Sequence, residues 1–216
     1  MNKHDYYEKR AEAFDINKHF DILQTLLKED LVAKELILRW KEVILSLISK
    51  EGYPPPMDIT HEIYSLVVGY DSGSFEYRFN IDLANTLLPA MNKLAVELPV
   101  REAIKYVDID NLSIKRAVKN HNNPILIMKS QLFDQPQCIN GNHRIFSAYE
   151  KGQETITLYY IEDNECIPFL STRIGRAMYM MNTDLNNTLH LPGKLDTNSL
   201  LIERADEWLF INKGSR

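Results

Sequence analysis

Between about Ile16 and Lys50 apolar residues recur every three or four positions: Phe20, Leu23, Leu26 and Leu27, then Leu31, Leu36, Trp40, Val43, Ile44, Leu47 and Ile48. That period lines one face of a helix and predicts either a helical hairpin or one bent helix. Asp30 suits an N-cap dividing the two halves, because its carboxylate can accept from first-turn amides, and Gly52 with Pro54-Pro55-Pro56 stops the second half. The stripe is expected to pack on its own domain, with a dimer or partner interface as the alternative.

After the prolines the period shortens to two. Ile63 to Val68, the turn Asp71-Ser72-Gly73, and the alternation Phe75, Tyr77, Phe79, Ile81 predict a β-hairpin. Aromatic residues at that spacing could stack on bases but more commonly form one buried face of a sheet. A short helix is expected from Asp82 to Met91, limited by Pro89, and a strand from Leu94 to Leu98. Asn111 is placed to cap a helix running to Lys119, and Ile125 to Met128 reads as a buried strand. Gln137-Cys138-Ile139 is a brief strand, Asn142 to Lys151 a helix closed by Gly152, and Thr155 to Ile161 another strand. Helical character returns over Ile174 to Met181 and, beyond the break at Leu191-Pro192-Gly193, over Ser199 to Phe210.

With both helices and strands expected, the chain is taken as an α+β protein. The expected divisions are a helical N-terminal segment at 1–56, an α+β domain with a small mixed sheet at 57–165, and a helical tail at 166–216 packed on it. The 216 residues suffice for a hydrophobic core without staples, and 44% hydrophobic with 25% charged residues is ordinary globular composition. Cys138 and Cys166 are too few and too poorly spaced for a disulfide framework or a zinc site. His61, His121 and His190 form no metal spacing either. The first ten residues lack the apolar core of a signal peptide and no stretch has the length of a membrane span, so a cytoplasmic protein is expected, without membrane contact. A formal net charge of -5 argues against general nucleic-acid affinity. Lys115-Arg116 with Lys119, and Arg173 with Arg176, are the candidate basic patches, or else solvated helix faces.

The chemistry concentrates at Asn140-Gly141-Asn142-His143-Arg144, where a short apolar strand turns into a helix. The first amides of a helix have no acceptor within it and its dipole favours negative charge there, so anions bind readily. Gly141 permits close approach of backbone to ligand, and Arg144 offers a planar donor fork suited to phosphate. His143 can donate, accept or shuttle a proton near neutral pH. A polar turn with Arg144 paired to a surface carboxylate is the plainer alternative.

The flanks extend the pattern: Pro124-Ile125-Leu126-Ile127, then Cys138-Ile139-Asn140-Gly141-Asn142-His143-Arg144-Ile145-Phe146-Ser147-Ala148, then Gly152 and the strand Thr155 to Ile161. Over roughly Leu98 to Asp163 this resembles the ParB/sulfiredoxin superfamily, whose members carry a Gly-x-His-Arg or Gly-Glu-Arg-Arg box opening a helix. Gly141, His143, Arg144, Ala148 and Gly152 fall in register. The resemblance implies a ParB/sulfiredoxin-like fold and a box that binds nucleotide phosphates. Activities known in the superfamily include ATP-driven sulfinic-acid reduction, free-serine phosphorylation, CTP-gated DNA clamping and nuclease action.

The departures from that pattern are informative. Sulfinic-acid reduction needs a cysteine between the Gly and the His, where this chain has Asn142, and Cys138 reads as an inert buried thiol. Partition proteins continue into a helix-turn-helix domain, and the segment after Asp163 contains no convincing recognition helix. Asn182-Thr183-Asp184-Leu185-Asn186 resembles, weakly, the segment that completes their nucleotide site. Serine-kinase-like members usually carry Asp where this chain has Asn140, so a carboxylate base would come from Glu102, Asp108 or Asp110.

The expectation is therefore a nucleotide-phosphate-binding protein, a phosphotransferase or nucleotide hydrolase, with Asn140, Gly141, Asn142, His143 and Arg144 holding ATP, ADP or CTP, with or without Mg2+. His143 and Arg144 are the candidate catalytic residues. The alternative is a DNA-associated ParB-like regulator or nuclease of plasmid or phage origin. A homodimer through the N-terminal helices is the oligomeric expectation.

Overall fold

The computed structural model describes residues 14–107, 124–133, 135–162, 165–190 and 205. The expected helix from Asn111 to Lys119, Asp108 and Asp110, the Lys115-Arg116-Lys119 patch, His121 and the break at Leu191-Pro192-Gly193 lie outside these residues, as does all of the expected last helix but Ala205.

The double helical stripe resolves into α1 (Ile16–Leu26) and α2 (Leu31–Glu51). Asp15 and Asp30 cap them by one mechanism, each carboxylate accepting from an amide three residues on, Lys18 N at 3.0 Å and Ala33 N at 2.9 Å. Gly52 ends α2 at φ 78°, a conformation that favours glycine. The hairpin is β1 (Ile63–Tyr70) and β2 (Gly73–Asn80), and the alternation of its second strand buries Phe75, Tyr77 and Phe79. Ile81, expected as the last strand residue, instead starts α3 (Ile81–Ala90), because Asn80 accepts from Leu83 N at 2.8 Å and caps the helix there. Pro89 lies inside that helix.

Next come β3 (Val96–Pro99), α4 (Val100–Ala103), β4 (Ile125–Met128), β5 (Gln137–Asn140), α5 (Asn142–Glu150) and β6 (Thr155–Ile161). The last described helix, α6 (Arg173–His190), extends well past the expected Met181. Its second half, Asn182 to His190, carries few apolar residues and escapes a reading by hydrophobic period. The described residues thus form an α+β protein with two small sheets. No described helix is long and apolar enough to cross a membrane.

The chain divides into two compact units. Of the described residues, the first comprises 14–58, 65–78, 170–190 and 205, and the second 59–64, 79–107, 124–133, 135–162 and 165–169. Most of the hairpin thus belongs with the N-terminal helices, whereas the sequence had grouped it with the central α+β domain.

In the first unit α2 packs along α6, burying Leu36, Trp40, Val43, Ile44 and Leu47 on one side and Ile174, Ala177, Met178 and Met181 on the other. Several polar groups inside this core are paired, while the buried His19 Nε2 has no partner among the described residues. Trp40 Nε1 donates to the buried carboxylate of Asp184 at 3.0 Å, and Asn182 Nδ2 donates to the hydroxyls of Tyr70 and Tyr77 at 3.1 and 2.9 Å. Arg78 pairs with Glu76 at 2.7 Å and donates to the carbonyls of Pro55 and Pro56. His19 is buried among Phe14, Phe20 and Tyr70, with Nδ1 3.0 Å from Ser72 Oγ.

The second unit is built on a mixed sheet of order β3-β6-β4-β5, in which β4 runs parallel to β6 and antiparallel to β5. All four residues of β4 are buried, and Ile125 and Ile127 pack with Cys138, Ile145, Leu158 and Ala103. Lys93 Nζ reaches both carboxylate oxygens of Glu165, at 2.7 and 2.8 Å.

Replacing Asp184 with Ala leaves the buried Trp40 N–H without its acceptor, and a loss of about 2–3 kcal/mol is expected in urea unfolding, with Asp184→Asn much milder because it keeps an acceptor. Burial lowers the pKa of His19 from 6.5 to about 4. The unfolded chain then takes up a proton below about pH 6.5 that the folded chain refuses until about pH 4, so stability falls with pH across that window by up to about 1.4 kcal/mol per unit. Unfolding measured from pH 7 to pH 4 should show that component in the wild type and not in His19→Gln.

Candidate functional site

The corner at residues 140–144 depends on two strands. β4 supplies Ile125, and β5 delivers the chain into α5 through Gly141 at φ 102°. A Cβ on Gly141 would lie 2.6 Å from Ile125 Cγ1 and 3.1 Å from Arg144 Nη2. Both conformation and space therefore demand glycine. Pairing changes register at the same place: Leu126 faces Asn140 while Ile127 faces Cys138, which leaves Ile139 as the extra residue of a bulge. Gly141 is also the N-cap, its carbonyl accepting from Arg144 N at 2.9 Å and Ile145 N at 3.0 Å.

The five residues of the box are brought together, but they do different work. Asn142 is buried, and its Nδ2 donates to the Cys138 carbonyl at 3.1 Å, bracing the start of α5 against β5. Its side chain thus turns inward, and what it offers a ligand is its backbone. Asn140 and His143 are half-buried, and neither side chain hydrogen-bonds to another described residue. Arg144 is half-buried and folds back so that Nη2 makes a long 3.4 Å contact with the Pro124 carbonyl. Burial lowers the pKa of its guanidinium, while Cys138 and the Glu62 carboxylate act the other way. It remains a cation, since guanidinium does not lose its proton in proteins.

Arg144 also opens a groove of about 230 Å³ along α5, lined with it by Ser147, Lys151, Gln153, Ile156 and Thr157. These residues were missed in the sequence, although Arg144, Ser147, Ala148 and Lys151 at helical spacing mark one face of α5. Nothing local in the sequence links Arg144 to Glu62. Its position comes from packing: its carbonyl accepts from Ile81 N at 2.8 Å and its amide donates to Asp82 Oδ2 at 2.8 Å.

Glu102, the one described candidate for a carboxylate base, is exposed and bonded to Lys105 Nζ at 2.6 Å, and that ammonium lowers its pKa. Cys138 is fully buried, with Sγ donating to the Asn140 carbonyl at 3.1 Å, as expected of an unreactive thiol. Asn182 and Asp184, the weak likeness to a nucleotide-completing segment, belong to the first unit and hydrogen-bond Tyr70, Tyr77 and Trp40 there. Of the candidate basic patches, Arg173 lies 3.5 Å from Glu51, and Arg176 Nε donates to the Leu170 carbonyl at 2.7 Å. No group of three or more His, Cys, Asp or Glu side chains among the described residues could hold a metal ion.

Comparison with protein-family models, with curated proteins and with solved structures finds no match to this chain.

Gly141→Ala is expected to cost about 3 kcal/mol, from a positive φ and an overpacked contact with Ile125. Gly152 has a positive φ of 66° but no atom within 4 Å of an added Cβ. Gly152→Ala should therefore cost only the conformational part, about 1 kcal/mol. Urea titration of the two variants separates packing from strain.

Proposed function

We propose that the corner from Asn140 to Arg144 binds the phosphate groups of a nucleotide, in a domain of the ParB/sulfiredoxin kind. The observation that carries this reading is the glycine turn: a left-handed Gly141, wedged against Ile125, opens a helix beside a guanidinium 3.1 Å from its Cβ position. A turn with no room for a side chain presents bare backbone at the positive end of a helix, and Arg144 adds a donor fork to it. The backbone amides of Asn142 and His143 and the Arg144 guanidinium are the phosphate contacts. His143 is the group that moves a proton, and Asn142 Nδ2 keeps the turn rigid.

Phosphoryl transfer and nucleotide hydrolysis are the reactions such a site suits, because they depend on position and charge stabilisation more than on a covalent nucleophile. Asn142 in place of cysteine leaves sulfinic-acid reduction outside the proposal. Magnesium, if used, would arrive with the phosphates.

A nucleotide that binds here should raise the melting temperature in a screen of ATP, ADP, CTP and GTP with and without Mg2+, since ligand at a hundred times its Kd adds about 2.7 kcal/mol to the folded form. Arg144→Ala should abolish that shift while leaving the unliganded melt close to wild type, because the cation contributes to phosphate affinity about 1.5–3 kcal/mol. Unchanged nucleotide binding to Arg144→Ala in calorimetry would refute the assignment. The DNA-binding alternative separates by salt: log affinity for duplex would fall by about 0.9 per log unit of salt for each phosphate neutralised, with no preference among nucleotides.

A further inference from the structure

The exposed side of α2 carries a second apolar stripe, distinct from the one that packs on α6. Leu31 is 77% exposed and Leu38 47%, and Leu45, half-buried, completes a spacing of seven. At 3.6 residues per turn these three leucines fall within about 40° of one another on the helix, opposite the buried Leu36, Trp40, Val43 and Leu47. Charges flank the stripe by sign. Lys34 and Lys41 lie about 40–60° to one side of the leucines, and Glu35 and Glu42 about as far to the other. A groove of about 750 Å³ runs along this face, and among the described residues only α2 lines it.

We propose that this face pairs with the same face of a second copy of the chain, with the two α2 helices parallel and in register. The charge arrangement selects the orientation. A two-fold axis along the helices places the lysine side of one copy against the glutamate side of the other, so that Lys34 meets Glu35 and Lys41 meets Glu42 at nearly equal heights on both flanks. An antiparallel pair would set lysine against lysine and glutamate against glutamate. Leucines repeating every seven residues form the seam, each layer meeting its own copy, with opposite charges setting partner and direction as in coiled coils. Among the described residues, Lys41 Nζ lies 3.6 Å from Asp21 and 5.7 Å from the centroid of the Phe20 ring, and Glu35 lies 3.8 Å from Arg39. Exposed pairs of that kind are weak and exchange readily for intermolecular ones.

Three leucine layers make a small interface, so association is expected to be concentration-dependent and measured best at roughly 100 µM. Under those conditions the full chain, 25.1 kDa, should sediment as a dimer, and Leu38→Glu should sediment as a monomer with unchanged circular dichroism. Lys34→Glu with Lys41→Glu should be monomeric alone, as should Glu35→Lys with Glu42→Lys, and a mixture of the two should recover the dimer. Leu31→Cys reports direction, because Cys138 and Cys166 are buried and do not compete. Mild oxidation should cross-link that single variant. A monomeric wild type, a dimeric Leu38→Glu, or cross-linking that requires one copy with Leu31→Cys and another with Leu45→Cys would each overturn the proposal.

Discussion

The contact on which the candidate site depends is the approach of Ile125 to the α carbon of Gly141. β4 is buried along its whole length between β6 and β5, so Ile125 cannot retreat from the turn that follows β5. The turn must accommodate it, and does so by giving up a side chain and adopting a left-handed conformation that glycine enters at little cost. The bulge at Ile139 belongs to the same adjustment, since an extra residue in β5 lets Asn140 pair with Leu126 while the chain swings toward α5.

From that constraint follows a division of labour within five consecutive residues. Asn142 points into the protein and holds the turn through the Cys138 carbonyl, so the start of α5 does not rest on the helix's own bonds alone. Arg144 makes a long contact with the Pro124 carbonyl and, half-buried, loses part of its hydration. A cation held in this way has given up solvent before an anion reaches it, which makes a second negative group nearby more favourable than it would be beside a freely hydrated side chain. His143 and Asn140 are left with polar side chains uncommitted among the described residues. The groove along Ser147 and Lys151 continues from Arg144 and adds a hydroxyl and an ammonium to the same face of α5.

The first unit follows a different logic. Its core is rich in aromatic residues and several of its polar groups are joined in internal pairs, Trp40 with Asp184 and Asn182 with two tyrosine hydroxyls. Paired groups of this sort bring little net stability but penalise any other packing of the same helices, because a slip would strand each of them without a partner. The unit is thus read more readily as a specified scaffold, with Leu31, Leu38 and Leu45 on its helical face as the part left for another molecule.

Much of this was legible in the chain itself. Helix starts at Ile16 and Leu31, the strands Ile125 to Met128 and Thr155 to Ile161, and the turn at Gly141 follow from rules that act over a few residues: period, capping carboxylates and the left-handed freedom of glycine. The presence of both helices and strands is legible in the same way, whereas their mixed pairing is not. Tertiary structure decided what local rules cannot reach. Ile81 looks like the end of an alternating strand until the Asn80 cap is seen, and the polar second half of α6 is held by partners more than a hundred positions away. In sequence, both Asn142 and Arg144 are expected to hold a ligand. Only the packing of β4 and β5 turns one inward as a brace and leaves the other beside an open groove. Which leucines of α2 face the core was likewise decided by α6, because a helix carrying apolar residues on two faces does not itself determine which of them is buried.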